Sequence, residues 1–369
     1  MADYTWLENL LDKEFIGPYE VSTDCEYLPD LRKRYRYLKK VLSENGAQEE
    51  YIAIVDRYTK GIIKVIESYY KGKIITSQKI LNKLIKEIEN EKYAVDDINS
   101  SKAFPGFDRR YVDLFRARYS DNAKSYDAED MLHIRFSKRE LTKNERFSIS
   151  GLPCLYLGNS SYCCWIELGQ PNDGNFNVSP VRVRNKRVLN LAVSVCDWRY
   201  LESFRKTVGE NLQTWLKLVI LTIATSYRVV DQNRFFKSEY IVSQQLMLTC
   251  KEIGIDGIAY YSKRVVEERL AVSAVNVALF AEYNKGDKSK LLEDVAIEDS
   301  VNFGMYHHFS SGIRNSGYPL RIEGCTIINS IGNYKRQIDY RMTDFYEFDK
   351  YLYKIWIDAD DSIFGEIQY

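Results

Sequence analysis

Residues 146–167 read Arg146-Phe147-Ser148-Ile149-Ser150-Gly151-Leu152-Pro153-Cys154-Leu155-Tyr156-Leu157-Gly158-Asn159-Ser160-Ser161-Tyr162-Cys163-Cys164-Trp165-Ile166-Glu167. Cys154–Leu157 is a short apolar run between Gly151 and Gly158, the pattern of a buried strand bounded by turns. A helix is expected to begin near Ser160 or Ser161 and to carry Glu167. Its neighbours Cys163, Cys164, Trp165 and Ile166 are apolar, so a partly buried carboxylate is expected, which is expensive unless it is paired or functional.

Outward from this block, further strands are expected at Val181–Val183, Val188–Leu191, Gly257–Tyr260 and Ala274–Phe280. A strongly apolar helix should run from about Phe204 to Tyr227, and another from near Ser238 to a stop before Gly254. Mixed short strands around a few helices predict an α+β fold. Toward the N-terminus the pattern becomes helical. Ile52, Val55, Ile62, Ile66 and Tyr69 fit a helix over Tyr51–Tyr70 that ends at Gly72. A second helix after Thr76 or Ser77 places Ile80, Leu81, Leu84, Ile85 and Ile88 on one face. Arg32-Lys33-Arg34-Tyr35-Arg36-Tyr37 reads as a solvated helix face rather than a phosphate-binding run. Asp96–Phe107, with Pro105-Gly106, reads as a linker. Three parts are therefore expected: a helical one over 1–100, a catalytic one over 101–290 and an extension over 291–369 that packs on it. In the last part Cys325–Ile328 is a candidate strand, and Asp339–Asp361 mixes acids with aromatics as a packing layer or a partner surface.

The 369 residues contain 52 Lys+Arg and 52 Asp+Glu, a net charge of zero. This argues against a protein held on nucleic acid or anionic lipid by bulk charge, and no direct nucleic-acid binding is expected. The segment Met1-Ala2-Asp3-Tyr4-Thr5-Trp6 has no basic or apolar signal region, and Leu216–Thr225 is too short to span a bilayer. No membrane association and a cytoplasmic location are expected. The seven cysteines form no C-x-x-C pair and read as buried free thiols. Three histidines, His133, His307 and His308, leave little material for a His-rich metal site, so no metal is expected.

A series of polar residues runs through the middle of the chain: Arg116 in Leu114–Arg118, His133 in His133–Phe136, Arg146, Tyr156, Glu167, Ser238–Gln244, Ser262 after Asp256–Tyr261, and Asn276. Arg116 and Arg146 offer planar forks suited to phosphate oxygens. Tyr156 ends an apolar strand, where its ring can face a planar ligand. Together these residues suggest an anion pocket beside one carboxylate. Each alone has a blander reading: an Arg–Glu pair as a structural ion pair, Tyr156 as core, and the glycines as turns. No P-loop and no G-x-G-x-x-G fingerprint is present.

Taken in order, the series resembles the RES domain family from about Phe104 to Tyr283. Its most specific pieces are Arg146-Phe147-Ser148 through Glu167, and Ser238-Glu239-Tyr240 with Ser262. The helical N-terminal part resembles the extensions that precede some RES domains. The resemblance implies an ADP-ribosyltransferase-like mixed β core that acts on NAD as substrate, with no separate cofactor. Family members known as toxins consume NAD by hydrolysis or phosphorolysis and are commonly neutralised by a helix-turn-helix antitoxin. Carried over, Glu167 is the central catalytic residue. Arg116 and Arg146 hold the phosphates or orient the carboxylate, Tyr156 stacks on nicotinamide, and Ser262 lines the pocket. His133 and Asn276 also fall in family-like segments. The implied partners are NAD, inorganic phosphate, and an antitoxin or regulatory protein, and a homo-oligomer is compatible with the sequence. The implied role is an intracellular toxin or phage-defence effector. The alternatives are ADP-ribosylation of a macromolecule and a non-catalytic interaction module with the same fold.

Overall fold

The computed structural model describes residues 15, 17–100, 112–121, 124–192, 209–264, 274–283, 289–309, 327–329, 337–354, 356 and 361–364. Three helices come first: α1 (Tyr27–Glu44), α2 (Glu49–Tyr70) and α3 (Ile74–Lys86). On α1, Tyr27, Leu31, Tyr35, Leu38 and Leu42 recur every three or four residues, and all are buried. Tyr35 lies in the middle of the basic run, so that run is only partly a solvated face. Arg32 and Arg36 are exposed, Arg32 pairing with Glu67, whereas Arg34 is mostly buried over the Tyr19 ring and pairs with Asp30.

Beyond these helices the chain forms a nine-stranded mixed sheet of order β10-β5-β3-β4-β9-β8-β6-β2, with β11 beside β5. Its strands are β2 (Val95–Asp97), β3 (Val112–Tyr119), β4 (Cys154–Gly158), β5 (Phe176–Val183), β6 (Arg187–Leu191), β8 (Gly257–Tyr261), β9 (Val275–Phe280), β10 (Val295–Ile297) and β11 (Val301–Asn302). Among the described strands of this sheet, only β6 and β8 pair in parallel. Two small ribbons complete the strands: β1 (Tyr19–Val21) beside β7 (Tyr227–Val229), and β12 (Ile327–Asn329) beside β13 (Gln337–Asp339). The remaining helices are α4 (Ala128–Met131), α5 (Ser161–Glu167), α6 (Leu212–Thr225), α7 (Ile241–Glu252), α8 (Phe303–Phe309) and α9 (Asp344–Lys354). The fold is α+β, with helices preceding the mixed sheet. No described helix is long and apolar enough to cross a membrane.

Alternation along the strands divides the core in two. Ile258 and Tyr260 face α6 and α7, whereas Ala259 joins Leu155, Val277 and Leu279 on the opposite face. On the first face one hydrophobic cluster runs without a break from the sheet through α6 and α7 to α1–α3. α6 is the middle layer. Trp215, Leu216, Val219, Ile220 and Ile223 are all buried, which explains why it is apolar on nearly every side. Tyrosines stitch the helical layers together. Tyr27 Oη donates to Ala224 O and Tyr35 Oη to Ile220 O, both at 2.9 Å. Each ring fills core volume while its hydroxyl satisfies a helix carbonyl.

Several expectations change. Asp96 and Asp97 lie in β2, paired with Val188 and Arg187, and are not linker; Pro105 and Gly106 fall outside the described residues. β3 was not anticipated, α3 begins at Ile74, and α6 begins at Leu212, with residues 204–208 outside the described set. Cys325 is also outside, beside the strand Ile327–Asn329. The aromatic segment after Asp339 is a packing layer: Tyr340 and Phe345 meet Tyr162 of α5 at ring-centroid distances of 6.2 and 5.4 Å. Of the described cysteines, Cys154, Cys163, Cys164 and Cys250 are buried and Cys25 is exposed, all as free thiols; Cys196 and Cys325 lie outside.

A shared core predicts shared stability. Ile62 is fully buried on α2. Ile62→Ala should remove about 2–5 kcal/mol and lower the melting temperature of one common transition. Far-UV circular dichroism and tryptophan fluorescence should shift together. Two separated transitions, with only one displaced by the substitution, would show that the helices fold independently of the sheet.

Candidate active site

A cavity of about 380 Å³ opens at the middle of the sheet. β3 and β4 pair at a single register, Phe115↔Gly158, and then part. Arg116 bridges the opening, its Nη1 donating to Tyr156 O at 2.9 Å. Gly158, Asn276 and Tyr260 are neighbours across β4, β9 and β8. Their side of the sheet forms the floor, and α5 forms one wall.

α5 is placed by small residues. Ser160 is its N-cap, accepting from Cys163 N at 3.0 Å. Asp349 of α9 accepts from Ser161 N at 3.0 Å and also from the Tyr340 hydroxyl. Burial pushes the Asp349 carboxyl up to about 7. Gly158 lets α5 lie close to the sheet: a Cβ there would sit 2.9 Å from Cys164 Sγ and 3.3 Å from Ser160 O. The last residue of α5 is Glu167.

Glu167 Oε1 accepts from Ser262 Oγ at 2.6 Å and from Asn276 Nδ2 at 2.8 Å. Cys163 Sγ lies 3.2 Å from Asn276 Oδ1, donating to it and orienting the amide. The partners of Oε1 are therefore neutral. Among the described residues the cation in ion-pair contact with the carboxylate is Arg264, whose Nε is 3.7 Å from Oε2 and whose side chain is 45% exposed. That is a loose surface pair, worth little in stability. A buried structural ion pair looks different in this protein: Arg182 and Asp113 are nearly inaccessible and bonded at 2.8 Å.

Arg146 donates from Nη1 to Thr225 O at 2.5 Å and from Nη2 to Tyr227 O at 2.8 Å. It thereby caps the C-terminal end of α6, where free carbonyls and the helix dipole favour a cation. Its guanidinium also lies over the Tyr240 ring, 5.4 Å from the centroid. Two of its five donors are thus used, and the group still lines the cavity. Burial, then the charge of Arg118, lowers Arg116 to about 10, which still leaves it charged at neutral pH. Tyr156 lines the cavity, and its Oη lies 2.6 Å from Ser148 Oγ. Burial holds its phenol far above the usual range, so it stays neutral.

Glu167, Arg116, Arg146, Tyr156 and Asn276 are thus brought to one cavity, whereas Ser262 is absent from its wall and reaches the site only through its bond to Glu167. His133 is not brought there: it is buried beside Phe136, 2.8 Å from Ile134 O, and is absent from the cavity wall. Glu239 turns away to Arg234, which also binds Asp24. Sequence reasoning missed Lys263 and Arg228. Arg228 pairs with Glu20 of β1. Lys263 directly follows Ser262, but only the position of α6 shows that it is buried. The described residues hold no cluster of three or more metal-type side chains.

The family model described as RES domain matches residues 113–295. A curated relative, "Putative toxin YopC" of Bacillus subtilis (strain 168), is 29% identical over 290 residues, covering 72% of this chain. The chain spans 62% of that relative's length. Among solved structures, one from the crystal structure of the M. tuberculosis MbcT–MbcA toxin–antitoxin complex aligns at 12% identity. It covers 54% of this chain and 88% of that one, and at a TM-score of 0.28 it carries no argument here.

The close approach at Gly158 gives a direct test of how Glu167 is positioned. Gly158→Ala should destabilise the protein by about 1–3 kcal/mol, because the new methyl meets Cys164 Sγ and a backbone oxygen. Adding Cys164→Ala should recover part of the loss by removing the sulfur. An unchanged melting temperature for Gly158→Ala would show that α5 does not depend on this contact.

Proposed function

We propose, on the premise that the chain carries a RES domain over residues 113–295, that it breaks the nicotinamide–ribose bond of NAD. The observation that carries this reading is the environment of Glu167: a carboxylate held by two neutral donors at the edge of a cationic cavity, with no buried cation in ion-pair contact with it among the described residues. Such a group keeps its negative charge available to a ligand.

The chemistry fits that arrangement. Nicotinamide leaves NAD as a neutral molecule, because the electrons of the breaking C–N bond quench the charge on its ring nitrogen. No strong acid is needed. Positive charge develops on the ribose, and a fixed carboxylate stabilises it or binds the adjacent hydroxyl. Ser262 and Asn276 hold Oε1, so the carboxylate need not reorganise as that charge appears. Arg116 and Arg146 would orient the phosphates, and the Tyr156 ring would lie against the nicotinamide. Attack by water at the same carbon, with loss of a proton, gives ADP-ribose; attack by inorganic phosphate gives the 1″-phosphate. With a toxin among its relatives, NAD depletion as a toxic activity restrained by an antitoxin is the biological form of this proposal.

Glu167→Gln tests it. Glutamine retains an oxygen that accepts from Ser262 and Asn276, so the fold should survive with a nearly unchanged melting temperature. Turnover should fall about a hundredfold or more, matching the roughly 2.7–4 kcal/mol contributed by one preorganised polar group. A variant that melts much earlier yet turns over NAD normally would make Glu167 a structural residue and remove the basis of the proposal.

A further inference from the structure

Lys263 is 8% exposed and lines the same cavity. Its Nζ donates to Ser226 Oγ at 2.8 Å, just past the end of α6. No carboxylate among the described residues lies within ion-pair distance of it. A buried ammonium without a counter-ion is costly. The charged groups sharing the cavity are Arg116, Arg146, Arg228 and Arg264 on one side of the account, and Glu145 and Glu167 on the other. Tyr240 and Tyr260 add neutral phenols. With Lys263 charged, the wall would hold five cations, one of them Arg228 already paired with Glu20 of β1, against two carboxylates on the wall, in a protein of zero net charge. The imbalance is local and calls for an anion.

We propose that Lys263, together with Arg146, forms the phosphate-binding end of the cavity, and that the lysine takes up a proton when a phosphate group binds there. In the empty cavity, burial first and then Arg146 lower Lys263 to about 7, with Glu167 opposing. The amine is therefore largely neutral above that pH. An incoming phosphate supplies the missing counter-charge, returns the lysine to its ammonium form and draws a proton from solvent. Arg146 is held against the carbonyls of Thr225 and Tyr227, so it is fixed before the ligand arrives. The inference deepens the reading above and rests on it for the identity of the substrate only.

Calorimetric titration of the full chain with ADP-ribose at pH 8, in two buffers of different ionisation enthalpy, counts the protons. A large fraction of a proton should be taken up per ligand, since burial leaves this amine mostly neutral at that pH until the anion arrives. Lys263→Met should bind ADP-ribose about tenfold or more weakly and show no uptake. Lys263→Arg, charged at every working pH, should keep binding without uptake. A parallel arm with inorganic phosphate separates the two sources of the anion: competition with ADP-ribose that Lys263→Met abolishes marks a site for the free ion as well. Wild-type binding without proton uptake would overturn the proposal. So would a folded Lys263→Met chain of unchanged affinity. Uptake by a protein that leaves NAD intact would sustain the phosphate site and remove the NAD reading. NAD turnover with no uptake would do the reverse.

Discussion

The C-terminal end of α6 is the junction on which the rest of this structure depends. A helix leaves its last carbonyls without internal partners, and burying that end requires donors from elsewhere. Here they arrive from three directions. Tyr27 of α1 reaches Ala224, with Tyr35 bonding Ile220 a turn earlier in the helix, Arg146 of the segment before β4 reaches Thr225 and Tyr227, and Tyr19 N of β1 reaches Ser226 O. Lys263, just beyond β8, binds the Ser226 hydroxyl. The N-terminal helices and the cavity therefore share one set of hydrogen bonds. The helix that joins them is also the most apolar in the chain, so the junction is held by packing as well as by polar contacts.

That arrangement gives the cavity its electrostatic character. The negative end of the α6 dipole attracts Arg146, and the same burial that fixes Arg146 disfavours charge on its neighbour Lys263. On the opposite wall, Glu167 is held by neutral donors. A fixed cation and a carboxylate thus face one space without quenching each other. This is the condition for binding a molecule that is anionic at one end and develops positive charge at the other.

Much of this was legible from residues 146–167. The strand, the turn at Gly151, the short helix and Glu167 stand where local pattern places them, because each rests on spacing within a few residues, whereas Gly158 is the last residue of β4 rather than a turn. Arg116, Tyr156, Ser262 and Asn276 were named from their order along the chain; the sheet brings Arg116, Tyr156 and Asn276 to one cavity, and Ser262 supports Glu167 from outside its wall. β3 escaped because Asp113, Arg116 and Arg118 break its apolar pattern. Asp113 is tolerated there only because Arg182 of the adjacent strand pairs with it, a contact 69 residues away in sequence. Lys263 escaped for a similar reason, since its burial comes from the end of α6. His133 shows the converse: membership of a family-like segment did not bring it to the cavity wall.

The central claim is that this cavity breaks the bond between nicotinamide and ribose. Incubating the purified full chain with NAD, with and without inorganic phosphate, and identifying the products by mass tests it most directly. The account predicts free nicotinamide in both cases, with ADP-ribose when water is the acceptor and its 1″-phosphate when phosphate is. Intact NAD after incubation with folded protein, or products cleaved at the pyrophosphate instead, would contradict it.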